Sequence, residues 1–293
     1  MKKSLWINAG LLALVLVLGL LAWLKPSSHG TEIRLSSMQA ADAQAIEIVQ
    51  AGAPGSIMLE RSGADWHLSQ PFPARADSFA VNRLLELLDA KAGEKFAAQG
   101  LARYGLNEPS VKVIINHQQF SFGAFNEMSR EQYVQSGDGV YLLPLRYAAA
   151  LPKSPYDLVA KQLFSANEAP LAFDFGSFKV TQEDGKPALD WNTTTLPKTD
   201  AGPDDINRWL DEWRLASALG VRPPSQRKPT GALQVLLKNG RTVVIKILER
   251  GASTAIARDD QPYEYLLSAP VAARLFAPPG KPAAAEPSAP PAK

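Results

Sequence analysis

Short runs of alternating apolar and polar residues, separated by Gly, Pro and Ser, make up much of the chain. Such runs are typical of half-buried strands, and several carry β-branched residues as well. The runs before the first long apolar repeat are AIEIV, IMLER and WHL, and those before the second are LAFDF, FKVTQ and ALDWN. The pattern therefore predicts three short strands ahead of each repeat.

Two stretches do not follow this two-residue alternation, because their apolar residues recur at i, i+3, i+4 and i+7. This spacing lines up one apolar stripe, so each stretch is predicted to be an amphipathic helix with one buried face. Asp77 or Ser78 can cap the first helix, and Pro203 suits the first turn of the second. The stripe residues are Val81, Leu84, Leu85 and Leu88 in the first helix and Ile206, Trp209, Leu210 and Trp213 in the second.

More strands are predicted after each helix, with hairpin turns at Asn116-His117-Gln118 and Asn239-Gly240. Consecutive hairpins around a single helix favour an antiparallel sheet with that helix on one face, which is an α+β arrangement. A further short helix is predicted over 154–166. The additional strands are 111–115, 119–123, 131–136 and 140–143 in the first half and 232–238, 241–248, 254–258 and 263–267 in the second.

The two halves of this pattern match each other. Shifting the chain by 125 positions aligns residues 65–88 with 190–213 without a gap, and six of these 24 positions are identical. The later strands follow in the same order at offsets of 122 and 124, and the offset changes only across predicted loops, where insertions are tolerated. We therefore expect two tandem homologous domains, each an antiparallel sheet with one main packing helix.

An uncharged apolar segment, residues 5–24, follows Lys2 and Lys3. A helix of this length is about 30 Å long, which matches the hydrocarbon core of a bilayer. Trp6 and Trp23 stand near its ends, and the lysines indicate a cytoplasmic N-terminus by the positive-inside rule. A cleaved secretory signal is the alternative, although its apolar core is shorter and ends in a small-x-small site. The segment favours a single-pass signal anchor, with the bulk of the chain across the membrane from the cytoplasm.

The remaining segments complete the predicted organisation. Residues 25–40 are polar and are interpreted as a spacer, while 277–293 hold six prolines and six alanines and are predicted to be a disordered tail. The predicted segments are a transmembrane anchor (1–24), the spacer (25–40), a first α+β repeat domain (41–151), a helical linker (152–168), a second α+β repeat domain (169–276) and the tail (277–293).

Charge and cysteine content narrow the possible functions. The formal net charge is +2, and Lys2 and Lys3 supply both charges, which leaves 29 basic and 29 acidic residues elsewhere. This balance gives no clustered basic surface to replace counterions on phosphates, so nucleic acid is not an expected partner. The sequence contains no cysteine, which excludes thiol catalysis, disulfides and cysteine-ligated metals.

No residue pattern indicates a catalytic, cofactor-binding or metal site. His29, His67 and His117 are isolated and lack acidic partners at helical metal-binding spacing. His67 is expected to be exposed, because it follows a tryptophan on a predicted strand and the two side chains point to opposite faces. Ser225 and Lys228 match a bare S-x-x-K pattern, but prolines surround them, whereas that serine must stand at the start of a helix.

Three other groups have both a functional and a structural interpretation. Acidic residues on the second helix suit its positive end and a solvated face better than paired catalytic carboxylates. A basic loop can contact lipid headgroups or an acidic partner, or be an ordinary solvated loop. Tryptophans can stack on a sugar or peptide, but helical spacing favours the core for two of them. The acidic residues are Asp204, Asp205, Asp211 and Glu212, the basic loop residues are Arg222, Arg227 and Lys228, and the tryptophans are Trp191, Trp209 and Trp213.

The first half resembles a known family, the domain-of-unknown-function 4340 family of bacterial envelope proteins. The resemblance covers about residues 45–165 well and the second repeat weakly, where LGVRPPSQRKPTG stands in place of Tyr-Gly-Leu. It implies a membrane-anchored accessory protein, often associated with components of ABC-type transporters, including those linked to gliding motility, with no assigned activity. The residues that carry it are Trp66, Pro71, Ala76-Asp77, Tyr104-Gly105-Leu106, Pro109, Gly123, Tyr133 and Tyr141.

Three functional hypotheses follow from the sequence. The first is a non-catalytic, membrane-tethered binding or scaffold protein of the envelope with a membrane-protein partner, bound to the inner membrane through residues 5–24. The second is a periplasmic ligand-binding protein that uses the cleft between the two repeats. The third is an envelope hydrolase that uses carboxylates alone, which needs a convergent and partly buried pair of acidic side chains.

Overall fold

The alternating runs form antiparallel strands in the computed structural model, which describes Val15 and residues 32–183, 185–193 and 199–282. No helix within these residues is long and apolar enough to span a membrane. Apart from Val15, the predicted anchor over residues 5–24 lies outside the described residues, and so does the tail after residue 282.

The elements follow the order that the sequence pattern predicts. The first half contains β1 (Ile33–Arg34), β2 (Ala45–Gln50), β3 (Ser56–Ser62), β4 (Asp65–Gln70), β5 (Ala74–Arg75), α1 (Ser78–Leu85), β6 (Lys91–Ala92), β7 (Lys95–Ala97), β8 (Val111–Ile115), β9 (Gln118–Asn126), β10 (Glu131–Ser136), β11 (Gly139–Pro144) and α2 (Leu145–Ala149). The second half contains β12 (Pro170–Asp174), β13 (Phe178–Glu183), β14 (Lys186–Trp191), β15 (Thr199–Asp200), α3 (Pro203–Arg214), β16 (Gly220–Arg222), β17 (Gly231–Leu237), β18 (Thr242–Glu249), β19 (Ser253–Arg258), β20 (Glu264–Ser268), α4 (Ala269–Phe276) and β21 (Lys281–Pro282).

Two large sheets carry the fold. The first has the strand order β5-β4-β3-β2-β8-β9-β10-β11-β7, and the second has the order β14-β13-β12-β17-β18-β19-β20-β16. Apart from the extra edge strand β5, the two orders are the same. Each sheet has a three-stranded meander, then a four-stranded meander, and ends in a short strand, β7 or β16, which lies between the two meanders in the sequence. Every neighbouring pair is antiparallel, so the α+β class with antiparallel sheets is confirmed.

Each sheet has one main helix with a buried apolar stripe. Val81, Leu84 and Leu85 are buried on α1, which continues into a 3-10 turn, Glu86–Asp89. All four stripe residues of α3 are buried as well. At the start of α1, the Asp77 carboxylate accepts hydrogen bonds from the backbone N–H groups of Phe79 and Ala80 at 2.9 and 3.2 Å. The periodicity therefore predicted both helices and the cap of the first.

Replacing Asp77 by alanine is expected to lower the free energy of unfolding by about 1 kcal/mol, because two N–H groups at the start of α1 lose their acceptor. Asp77→Asn keeps an acceptor oxygen and is expected to retain most of that stability. Urea denaturation followed by circular dichroism measures both variants. Equal destabilisation by both would mean that the charge, and not the hydrogen bonds, is the important property.

The helix predicted over 154–166 is wrong for most of its length. Pro155–Leu158 forms a 3-10 turn, the chain from 159 to 165 is not helical, and a second 3-10 turn, Ala166–Glu168, begins at the end of the predicted range. Val159 forms a β-bridge with Ala76, and Gln162 forms one with Ser217. Because neighbouring segments pair with its backbone, this connecting segment (residues 159–168) lies between the sheets as an added strand-like piece.

The predicted spacer and tail both contain ordered structure. Strand β1 lies inside the spacer 25–40 and pairs with β6, and Leu35 and Ser36 beside it are buried. At the other end, β21 pairs with β15, and the Trp209 indole N–H donates to the Ala277 carbonyl at 2.8 Å. Few side chains are apolar in these segments, so their order comes from backbone pairing that composition does not reveal.

The buried apolar residues of the two sheets belong to one continuous cluster. The connecting segment contributes Val159, Leu163 and Phe164 to it, between residues such as Leu68 of the first sheet and Phe173 of the second. A shared cluster of this kind joins the predicted domains 41–151 and 169–276 through a common core.

The Tyr-Gly-Leu element packs against the first sheet as a small satellite cluster. Tyr104 and Leu106 are buried there with Val140, and Tyr104 lies 4.9 Å from Tyr133 between ring centroids. Gly123 allows this close approach: a Cβ there would overlap the Tyr104 carbonyl oxygen and lie 2.8 Å from Leu106 Cγ.

Gly123→Ala is accordingly expected to cost roughly 1 to 3 kcal/mol of stability, because backbone atoms must shift to make room. Gly55→Ala is the matched control, since a Cβ at that glycine meets nothing within 4 Å. We expect the control to stay within about 1 kcal/mol of the wild type in urea denaturation. Similar losses in the two variants would show that the close packing of Tyr104 and Leu106 against Gly123 contributes little.

Candidate functional site

A cleft of about 500 Å³ lies where the first sheet meets the connecting segment. Residues from 65–67, 75–79 and 160–167 line it, and we call it the junction cleft. Its walls are β4 and β5, the start of α1, and the extended chain that leads to the second sheet. The junction cleft is thus formed by the first half together with the connecting segment.

Strand pairing places two nitrogen-bearing side chains side by side in this cleft. His67 on β4 is the direct antiparallel partner of Arg75 on β5, and such partners share one face of a sheet. Trp66 and Leu68 alternate with His67 and are buried, so His67 is exposed, as predicted.

Arg75 is half-buried and has no carboxylate partner among the described residues. Its Nη2 donates to the Gln162 carbonyl oxygen at 2.6 Å, which ties β5 to the connecting segment. The neighbouring acid, Glu168, pairs with Arg258 instead, at 2.8 Å. Arg75 therefore makes no ion pair among the described residues, although its charge acts on the nearby Glu168.

Two buried tyrosines lie close to Arg75. The rings of Tyr263 and Tyr265 are 5.5 Å apart, and Phe72 lies 5.8 Å from Tyr263. Burial raises the pKa of both tyrosine hydroxyls, although the charge of Arg75 acts to lower them. Both phenols therefore stay neutral at physiological pH, and neither compensates the charge of Arg75.

A buried ion cluster, the junction clamp, fixes the connecting segment to the second sheet. Arg258 on β19 has a side chain that is 0% exposed, and it pairs with Glu168 at 2.8 Å and Asp260 at 2.9 Å. Its Nη1 donates to the Leu163 carbonyl oxygen at 2.5 Å, and the guanidinium lies 5.3 Å from the centre of the Phe164 ring. The junction clamp of Arg258, Glu168 and Asp260 thereby positions the rear wall of the junction cleft.

Protonation of Glu168 is expected to weaken this clamp in acid. Burial by itself raises the pKa of Glu168, but the hydrogen bonds from Arg258 and the backbone of Ser165 outweigh it and lower the pKa from 4.5 to about 2. Because the pKa is depressed in the folded state, ionised Glu168 stabilises the protein above about pH 4.5. That contribution is lost as the pH falls towards about 2.

Thermal unfolding across this pH range tests the assignment. The wild type is expected to lose stability more steeply between pH 4.5 and about 2 than Glu168→Gln, which has no carboxylate to protonate. Glu108→Gln, at an exposed position outside the clamp, is the control and is expected to follow the wild-type curve. Parallel curves for the wild type and Glu168→Gln would contradict the role of Glu168.

A second pocket, of about 690 Å³, lies on the first sheet beside residues 35–38. Its buried polar groups bond to one another. Gln118 accepts a hydrogen bond from Ser36 at 2.6 Å and donates to Leu35 and Ser136 at 3.0 and 3.1 Å. These bonds hold the segment after β1 against the sheet, so we assign this lining a structural role.

The three histidines do not come together. His67 lines the junction cleft, His117 lines the pocket on the first sheet, and His29 lies outside the described residues. Over the part of the chain that the structure describes, no three His, Asp or Glu side chains are grouped as metal ligands. Ser225 lies in an irregular loop, where its backbone N–H donates to Glu264.

The basic loop is not a free basic patch, which corrects one functional interpretation of the sequence. Arg222 pairs with Glu264 at 2.8 Å, and both Arg222 and Arg227 pair with Glu249. Burial acts to raise the pKa of Glu264, but the hydrogen bonds from Ser225 and Arg222 lower it below its usual value. Glu249 on β18 and Glu264 on β20 thus pair with two of the three basic residues of the loop, and these partners cannot be read from linear spacing.

The acidic residues of α3 and its tryptophans have the structural roles that their spacing indicates. Asp205 accepts from the backbone N–H of Gly202 and pairs with Arg208, both near the start of the helix. Trp209 and Trp213 are buried against Phe173, with ring centroids 5.1 and 4.8 Å away. Asp211 and Glu212 pair with Arg214 and Arg274, and Trp191 is half-buried beside Phe178.

Sequence reasoning missed Arg75 and Arg258. Each is a single arginine within a short strand, and each has its important contacts at the connecting segment, far away in sequence. One weak signal exists: Arg258 stands at a position whose neighbours in the strand pattern are apolar, and a charge there requires a buried partner.

Comparisons with known proteins give one match. Neither the curated proteins nor the solved structures contain a match to this chain. The model of a domain of unknown function, DUF4340, matches residues 66–232, which include the junction cleft and part of the second sheet. Since the match spans more than half of the 293 residues, the chain belongs to the DUF4340 family.

Proposed function

We propose that this protein is a non-catalytic, membrane-tethered binding or scaffold protein of the bacterial envelope, and that its partner binds at the junction cleft. The observation that carries the proposal is Arg75, a half-buried guanidinium in a concave site with no carboxylate partner among the described residues. A concave site with such an arginine suits recognition of an external group of opposite charge.

The apolar segment 5–24 supports the tether and the inner-membrane location. The N-terminus is then cytoplasmic and the sheets are periplasmic. Residues 25–32 span at most roughly 28 Å when extended, so the start of β1 stays within that distance of the bilayer surface. This range suits a partner that is itself a membrane protein, such as a component of an ABC-type transporter or a gliding-motility-like complex.

The equal strand order of the two sheets supports a duplicated architecture. We interpret 41–151 and 169–276 as homologous domains that have diverged at their edges, since 65–88 and 190–213 align without a gap. By the same shift of 125 positions, β5 corresponds to β15, which pairs with β21 and carries Asp200 in place of Arg75. Of the two halves, the first therefore contributes the charged wall of the junction cleft.

Position-resolved photo-crosslinking of the full-length protein in native membranes tests this function. A crosslinking amino acid at Phe79 or Asn167, both exposed at the junction cleft, is expected to give one discrete adduct with another membrane protein. The same amino acid at Gln234 or Lys246, exposed on the second sheet, is the control and is expected to give none. Equal adducts at all four positions, or none at any, would contradict the proposal.

The size of the cleft favours one alternative, a periplasmic protein that binds a small ligand. A volume of about 500 Å³ is within the range of small-molecule sites. A thermal-shift series with peptides, glycans and lipids discriminates between the two functions, because a specific ligand stabilises the folded state by mass action. Stabilisation by a small ligand, without crosslinks from Phe79, would favour the alternative.

A further inference from the structure

We infer that the junction cleft binds a single carboxylate on an extended acidic segment of a partner protein, with Arg75 as the residue that contacts the carboxylate. The inference rests on the proposed function and names the chemistry of the partner. Arg75 contributes a planar fork of N–H donors, and only one donor of this fork has a backbone acceptor, the carbonyl of Gln162. Carboxylates match the remaining donors in shape and charge.

The charges around Arg75 favour one carboxylate over a polyanion. Asp65 and Asp77 line the same cleft, so a phosphate-rich surface or a nucleic acid would meet repulsion there. His67 stands directly opposite Arg75 on β4, and its side chain can donate a further hydrogen bond. Glu168 forms its ion pair with Arg258, while the charge of Arg75 acts on Glu168 without an ion pair between them.

The rim of the cleft adds an apolar contact. Phe79 is 73% exposed although it is a large aromatic residue, and it stands in the first turn of α1, two residues after the cap Asp77. An acidic residue with apolar neighbours can place its carboxylate on Arg75 and an adjacent side chain on Phe79. An extended segment fits this geometry, because successive side chains of such a segment point to opposite sides.

Fluorescence anisotropy with the full-length protein in detergent micelles tests the inference. The probe is a capped, rhodamine-labelled pentapeptide with glutamate between two leucines, and the comparison peptide has glutamine in place of glutamate. The glutamate peptide is expected to bind about tenfold more tightly or better, since a charge-assisted hydrogen bond provides that ratio. Arg75→Gln is expected to abolish the difference between the peptides.

Arg103→Gln is the matched control, because Arg103 is exposed and lies outside the cleft. This variant is expected to keep the tenfold preference. If Arg75→Gln loses the circular dichroism of the native fold, Arg75→Lys serves instead, and it is expected to bind the glutamate peptide several-fold more weakly than wild type. Equal binding of the two peptides, an unchanged preference in the folded Arg75 variant, or equally effective competition by inorganic phosphate would overturn the inference.

The outcomes separate this inference from the function on which it rests. If the glutamate peptide shows no preference while Phe79 and Asn167 still give a discrete adduct in membranes, the cleft binds a partner of different chemistry. If both assays fail, the proposed function fails as well.

Discussion

Replacing Arg258 by leucine is expected to lower the free energy of unfolding by roughly 3 to 5 kcal/mol, because the substitution leaves two carboxylates without their buried partner. Glu168 and Asp260 are mostly buried, with side chains 17% and 22% exposed. The Leu163 carbonyl loses its donor as well. Urea denaturation followed by circular dichroism measures the loss, and the connecting segment is expected to become more susceptible to proteolysis.

Arg241→Leu is the matched control for this prediction. Arg241 pairs with the same acid, Asp260, at 3.2 Å, but its side chain is 57% exposed. An exposed pair contributes at most about 1 kcal/mol, so the control is expected to be nearly as stable as the wild type. A loss in Arg258→Leu no larger than in Arg241→Leu would mean that the junction clamp does not stabilise the fold.

Trp213→Ala is expected to be similarly costly, with a loss of roughly 3 to 5 kcal/mol, because it leaves a cavity in the part of the shared core beneath α3. Trp213 is 0% exposed, and its ring lies 4.8 Å from Phe173 and 5.7 Å from Phe276 between centroids. Its indole N–H also donates to the Leu275 carbonyl at 3.1 Å, which fixes α4 against α3. Circular dichroism during urea denaturation is the suitable measurement, since the substitution removes a fluorophore.

Leu215→Ala is the control for the tryptophan, because Leu215 directly follows α3 and is 79% exposed. Surface substitutions of this kind change stability by about 0.5 kcal/mol or less. Trp213→Phe keeps the aromatic packing but loses the hydrogen bond, so it is expected to fall between the control and Trp213→Ala. A Trp213→Ala variant as stable as the control would contradict the assignment of Trp213 to the core.

The predicted strands and helices correspond closely to those of the structure, because each depends on a local period. Val81 and Leu84 on α1, like Trp209 and Trp213 on α3, are buried because helical spacing brings them onto one face. The helix predicted over 154–166 failed for a tertiary reason. Its apolar residues are buried on several sides between the sheets, and such burial does not require a helical period.

The strand order also explains a difference between the edges of the two sheets that the alignment of the two halves does not explain. Val140 on β11 pairs with Phe96 on β7, and at the corresponding edge of the second sheet Glu264 on β20 pairs with Arg222 on β16. An apolar pair under the Tyr-Gly-Leu element thus corresponds to an ion pair under the proline-rich loop. Glu264 is buried only because Arg222 and Ser225 come to it from far away in sequence.

The sequence by itself determined the strands, the two packing helices, the α+β class and the membership in the DUF4340 family, because these follow from short-range periodicity and local motifs. Only the tertiary structure decided that the two sheets share one core and that Arg75 stands beside His67 in a cleft. It also decided that Arg258 is a buried clamp and that two glutamates pair with Arg222 and Arg227 of the basic loop. The physical reason is that charge compensation and burial depend on partners brought together by folding, and a linear pattern does not specify which partners meet.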